Sequence, residues 1–178
     1  FILPYLMSEG GGFISDDLKS EIYDSEQSQK GLNFYSDLRK KYHVAPLKSE
    51  SASATMAQMF LQGKIAMHLS GRWLTPKYTE EAKFDWDTVP FPKGDKGSIV
   101  ALDASGWAVA RASQHKKEAL MLVDYLSSRQ SSIKFIKSGL IVPARIDVKQ
   151  EFLESAKGSD TFLKIIPSSK PTPVCVNY

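Results

Sequence analysis

Phe60-Leu61-Gln62-Gly63-Lys64-Ile65-Ala66-Met67-His68-Leu69-Ser70-Gly71-Arg72-Trp73 is the stretch on which the reading of this chain turns. Met56, Met59 and Phe60 mark a short helix, and Gly63 closes it, because glycine enters the left-handed region at a helix end without a Cβ penalty. Lys64 to Leu69 then alternates at period two with Ile65, Met67 and Leu69 on one face, which predicts a half-buried strand. Ser70 to Trp73 reads as a turn. A further short helix is expected across Pro76 to Ala82, with proline in its first turn. Helix, strand, turn and helix in close succession indicate a mixed chain.

Working outward, Asp24 to Tyr42 is helical: Asp24 or Ser25 can cap it, and Leu32, Tyr35, Leu38 and Tyr42 recur at three and four residues. Val44-Ala45-Pro46-Leu47 ends it, since proline restricts the residue before it. Ser49 to Ser53 reads as a loop. Downstream, Phe84 to Pro92 is extended and punctuated by proline, and Lys93-Gly94-Asp95-Lys96-Gly97 is a turn. Ser98 to Ala110 predicts strand, turn and strand, the turn at Asp103 to Gly106. Ala119, Leu122, Val123 and Leu126 form one apolar helical stripe, and a helix through Ile133 and Ile136 ends at Gly139. Two shorter helices, Val148 to Ala156 and Asp160 to Ile166, precede a tail rich in proline and serine. The expected fold class is α/β or α+β, with helices dominating.

The chain has 178 residues, 42% hydrophobic and 24% charged, which is globular composition. No apolar run approaches the ~20 residues needed to cross a bilayer. Lysine supplies 18 of the 23 basic residues, and these are scattered along the chain. Nucleic-acid binding would instead concentrate charge and favour arginine with interleaved aromatics, so no nucleic-acid partner is expected. Cys175 is the only cysteine and the three histidines lie far apart, so neither a disulfide scaffold nor a structural zinc site is expected. The apolar opening, Phe1 to Met7, reads as a piece of a longer chain.

Catalytic constellations are poorly supported. There is no Gly-x-Ser-x-Gly elbow, and the cysteine has no local histidine partner. Asp85 and Asp87 lie two apart and flank Trp86; as a pair they would suit a carbohydrate-active enzyme only if one had a raised pKa. Gly10-Gly11-Gly12 lacks the lysine and serine or threonine of a phosphate loop. It is either a loop needing positive φ or a place where backbone amides approach a ligand. Trp73 and Trp107 carry the most usable signal, each at a turn beside small residues, in Gly71-Arg72-Trp73 and Ser105-Gly106-Trp107. An aromatic face matches the C–H face of a sugar, while neighbouring arginine, aspartate or serine groups bond its hydroxyls. Asp103 is a hydroxyl acceptor on the same chemical grounds.

The Phe60 to Trp73 stretch resembles the corresponding segment of family 1 extracellular solute-binding proteins, the sugar-binding subunits of ABC importers of the maltose-binding and glycerol-phosphate-binding types. Phe84-Asp85-Trp86-Asp87-Thr88-Val89-Pro90-Phe91-Pro92-Lys93-Gly94 is similar to that family's crossover strand and proline-glycine turn. Ser105 to Ala110 with the Lys116 to Leu126 helix, Gly139 to Arg145, and Glu9-Gly10-Gly11 follow in matching order, Glu9 replacing the more usual residue. The resemblance implies a type II periplasmic-binding-protein fold of two lobes, of which this chain holds part: residues 1–86 in the second lobe, 87–142 crossing the hinge to the first, and 143–178 returning. It implies reversible, non-catalytic capture of a sugar, delivery to a membrane permease, no cofactor, an extracytoplasmic or lipid-anchored location, and a monomer at full length. Trp73 matches the family's stacking aromatic, and Arg72, Ser105, Gly106, Trp107 and Arg145 match positions that touch ligand. The readings from other classes are a carbohydrate-active enzyme using Asp85 and Asp87, and a non-binding interaction scaffold.

Overall fold

A computed structural model describes residues 2–47, 49–51 and 54–174. Cys175 and part of the expected Ser49 to Ser53 loop lie outside the described residues. Eight α-helices are described: α1 (Leu3–Glu9), α2 (Glu26–Lys40), α3 (Met56–Leu61), α4 (Thr75–Glu81), α5 (Lys116–Leu126), α6 (Arg129–Lys137), α7 (Lys149–Leu153) and α8 (Ser159–Ile165). Two short strands, β1 (Ala101–Leu102) and β2 (Lys170–Pro171), pair in parallel, Ala101 opposite Lys170 and Leu102 opposite Pro171. The described residues form two compact units. One comprises those of Phe1–Leu69, Val89–Asp103 and Lys164–Tyr178, the other those of Ser70–Thr88 and Ala104–Leu163.

The first unit is organised by α1 against α2. Proline stands in the first turn of α1, where its missing N–H costs nothing, and Gly10 ends the helix at φ +92°. Gly10 N–H and Gly11 N–H return to the carbonyls of Met7 and Leu6. Leu3, Leu6 and Met7 are buried at helical spacing. Gly31 of α2 lets the two helices approach closely, for a Cβ there would lie 2.5 Å from the Tyr5 carbonyl oxygen. The Tyr5 ring packs against Phe34, Tyr35 and Phe91. Below α1, the fully buried Ser28 hydroxyl accepts from Gly12 N–H at 2.9 Å and donates to the Ile22 carbonyl at 2.7 Å. Ser8 ties the end of α1 to the following segments: its carbonyl accepts from Lys96 N–H at 2.8 Å, and its hydroxyl from Ile99 N–H at 3.0 Å.

The second unit has a core of Ile136, Val148 and Phe152, with Ile133, Val142, Phe162 and Leu163 packed on it. Helix α6 is capped by Ser128 and leaves through Gly139 at φ +74°. Its buried Ser131 donates to the Tyr125 carbonyl at 2.7 Å, fixing the turn from α5. Helix α5 is apolar on more than one face. Ala119, Val123 and Leu126 are half-buried, whereas Leu122, expected on the same stripe, is exposed together with Leu120, Met121 and Tyr125.

Two expectations need correction. Lys64 to Leu69 is not a strand: alternation selects an extended backbone but supplies no hydrogen-bonding neighbour, and Met67 is 85% exposed. Ser98 to Ala110 holds one strand, β1, whose partner is the distant β2; the segment after Asp103 does not fold back to pair with it. Leu3 to Met7 of the opening apolar run, for which no element was expected, lies in helix α1. Pro4 and Gly10 are the start and stop signals that bracket it.

The helix crossing at Gly31 generates a test. Alanine gains about 1 kcal/mol of helix propensity over glycine, but a Cβ pressed on a backbone oxygen costs about 1–3 kcal/mol of overpacking. Gly31→Ala is therefore expected to lower the stability read from the urea midpoint by up to ~2 kcal/mol; a stabilised variant would show that the helices separate freely.

Candidate functional site

Gly71, Arg72 and Trp73 sit at the head of α4. Gly71 is extended, at φ −125° and ψ 178°, and the chain then tightens into a 3-10 turn, Arg72–Leu74. Consecutive side chains of this turn differ sharply in exposure. Arg72 runs inward and is only 4% exposed, while Trp73 is 57% exposed. The indole folds back over Gly71, so that any Cβ there would collide with its ring carbons.

Inside, the Arg72 guanidinium lies over the Phe152 ring, 4.8 Å from its centroid, and 5.7 Å from that of Phe162. Its Nη1 donates to the Ser159 hydroxyl at 3.0 Å and Nη2 to the Ser155 hydroxyl at 3.1 Å. Ser155 and Ser159 in turn donate to the carbonyls of Phe152 and Ala156, both at 2.7 Å, leaving their lone pairs for the arginine. Burial pulls the guanidinium below its usual pKa. It begins so high that it remains charged at neutral pH. Among the described residues, two hydroxyls and two aromatic faces hold this cation. Phe152, Ser155, Ser159 and Phe162 were not singled out from the sequence, since they span two short helices and the turn between them.

The remaining candidates are placed as follows. Trp107 is 55% exposed beside Phe135, ring centroids 6.1 Å apart. Ser105 and Gly106 are exposed, and a Cβ on Gly106 would meet open space. Arg145 forks onto Asp147 at 2.9 and 2.7 Å and donates to the Ser127 carbonyl at 3.3 Å. That fork raises the arginine pKa and lowers the aspartate's. Gly10 and Asp103 belong to the first unit. Gly10 is the left-handed cap of α1 and, with Gly11, Gly12, Lys96 and Lys170, lines a cavity of about 600 Å³. Asp103 accepts from the Thr172 hydroxyl at 2.7 Å. Of the two readings of the glycine run, positive φ holds for Gly10, while Gly11 is constrained by Ser28 against its Cα.

Asp85 and Asp87 do not form a paired acid and base. Lys157 bonds Asp85 and holds its carboxyl below the usual range, and Asp87 accepts from Thr88 N–H at 2.8 Å. A proton-donating carboxyl needs the opposite shift. Among the described residues no group of three or more His, Cys, Asp and Glu is placed to hold a metal ion.

The sequence model of the bacterial extracellular solute-binding proteins matches residues 1–132. The chain belongs to this family. Its relatives are solute-binding proteins, not enzymes. The maltodextrin-binding protein MdxE of Bacillus subtilis (strain 168) is 26% identical over 128 residues, 70% of this chain and 30% of that protein. An ABC substrate-binding protein from Listeria monocytogenes, solved in complex with cycloalternan, superposes with a TM-score of 0.84 at 18% identity, covering 98% of this chain and 46% of its own. Maltose-bound MalE3 of T. maritima superposes at 0.82 with 22% identity, covering 99% of this chain and 47% of its own. The fold is thus that of the type II periplasmic binding proteins, and the α/β expectation holds. The chain spans less than half the length of these relatives.

Tyr78 of α4 stands behind the Trp73 turn and meets Trp86 edge-on, centroids 5.6 Å apart. Burial pushes its phenol up to about 12. The folded state therefore favours the neutral phenol. Its contribution is fully present below the ordinary pKa near 10 and is lost as pH rises through about 12. Tyr78→Phe is expected to flatten the alkaline limb of the stability curve across that window, measured by denaturant titration at fixed pH; an unchanged limb would mean the phenol is solvated.

Proposed function

We propose that this chain is part of the extracytoplasmic solute receptor of an ABC importer, and that the receptor captures a glucose oligosaccharide reversibly and passes it unchanged to a membrane permease. The family supports a receptor rather than an enzyme. The sugar class rests on relatives whose names carry maltodextrin, maltose and cycloalternan. The observation that carries the reading is Trp73: an indole exposed over more than half its surface, yet held flat against Gly71 on a turn anchored from beneath. An exposed ring on a fixed turn offers an apolar face to pyranose C–H groups without an ordering cost at each binding event.

Trp107, with Ser105 and Gly106 beside it, is proposed as a second contact on the same chemical grounds, its ring steadied by Phe135. Arg72 and Arg145 are proposed to have smaller roles beside Trp73 in the second unit, and Asp103 and Gly10 are proposed as ligand contacts of the first unit. Each already has an intramolecular commitment: Ser155 and Ser159 for Arg72, Asp147 for Arg145, Thr172 for Asp103, and the α1 cap for Gly10. Closure of two lobes on the ligand is part of the same proposal.

The test is isothermal titration of maltotriose into the full-length protein and its Trp73→Ala variant. Loss of one stacking face is expected to weaken binding by ~1–2 kcal/mol, about tenfold. An unchanged dissociation constant would remove Trp73 from the site.

A further inference from the structure

Arginine between glycine and tryptophan in a turn reads as a solvent-facing cation available to a ligand. Here it faces the other way. Its charge is desolvated, its two Nη groups are spent on Ser155 and Ser159, and its flat faces are spent on Phe152 and Phe162. Those four residues lie on α7, α8 and the turn between them, 83 and 87 residues away from Arg72 for the two serines. Neighbouring Trp73 is exposed, with its ring laid on Gly71.

We infer that Arg72 is a positioning residue: it pins the Gly71–Trp73 turn to the face built by Phe152, Ser155, Ser159 and Phe162, and so fixes the plane of the Trp73 ring. The sugar role of that ring rests on the function proposed above; the positioning itself does not. A buried guanidinium has few places to go. Sliding the turn would strip it of both hydroxyls at once and leave a buried charge unpaired, which costs more than an ordinary hydrogen bond. Lysine does not substitute, because it has neither the fork that reaches two hydroxyls nor the flat face that stacks on a ring. The orphaned Nε of Arg72 shows how fully the geometry is set by the fork and the stack, since the remaining donor is left unsatisfied.

The experiment is 19F NMR of full-length protein labelled with 5-fluorotryptophan, the resonances of Trp73, Trp86 and Trp107 assigned by single Trp→Phe changes. Two variants are compared with the parent: Arg72→Lys, and the milder Ser155→Ala/Ser159→Ala pair, which keeps arginine and removes only its hydroxyl partners. In the absence of sugar, both are expected to shift or split the Trp73 resonance while Trp107 stays in place, and to raise acrylamide quenching of Trp73 about twofold. With maltotriose, affinity is expected to fall at least fivefold in both. A Trp73 resonance unmoved in the folded serine pair overturns the inference, whatever happens to Arg72→Lys. A moved resonance in a protein that never binds sugar leaves the positioning role standing and overturns the proposed function instead.

Discussion

A guanidinium taken out of water needs hydrogen-bonding and stacking partners, and in this protein that constraint organises the candidate site. Arg72 finds its partners in two serine hydroxyls and two phenylalanine rings from the far end of the second unit. The arrangement joins a turn early in the chain to helices late in it, and Phe152 serves both the arginine and the apolar core with Ile136 and Val148. The turn then has no freedom to face its arginine outward. With Arg72 inside, the tryptophan that follows it is left at the surface. Exposure of an aromatic ring here is thus a consequence of burying a charge.

The first unit is governed by a different constraint, the close approach of backbone to backbone. Gly31 admits the Tyr5 carbonyl, Gly94 admits the Ser8 carbonyl, and Gly11 admits Ser28. Each contact needs the absence of a side chain. Lys30 on the outside bonds both Glu9 and Asp95, which raises its pKa, chiefly through the bond to Asp95. This exposed network holds charge at the surface, where ion pairs add little to stability. The work of the unit is done by α1 and α2.

Most helices were legible in the sequence because their signals are local. Ser25, Thr55 and Ser128 accept from backbone amides at the helix starts, and Gly63 and Gly139 take positive φ where apolar spacing stops. Strands were less legible, since a strand exists only with a partner and the alternation at Lys64 to Leu69 says nothing of one. β1 was found, but its neighbour β2 lies in a segment whose prolines read as tail. The site was half legible. Trp73 and Trp107 were identifiable as aromatics at turns beside glycine, and both are exposed. The inward course of Arg72 was not, because a cation in a turn reads as surface and its partners are too distant in sequence for spacing to reveal.

The proposed receptor captures an oligosaccharide without altering it. The most direct measurement is equilibrium dialysis of full-length protein against maltotriose, followed by chromatography of the sugar recovered on both sides. The account predicts saturable retention and maltotriose recovered intact. Glucose and maltose in the recovered sugar, or no retention at any protein concentration, would contradict it.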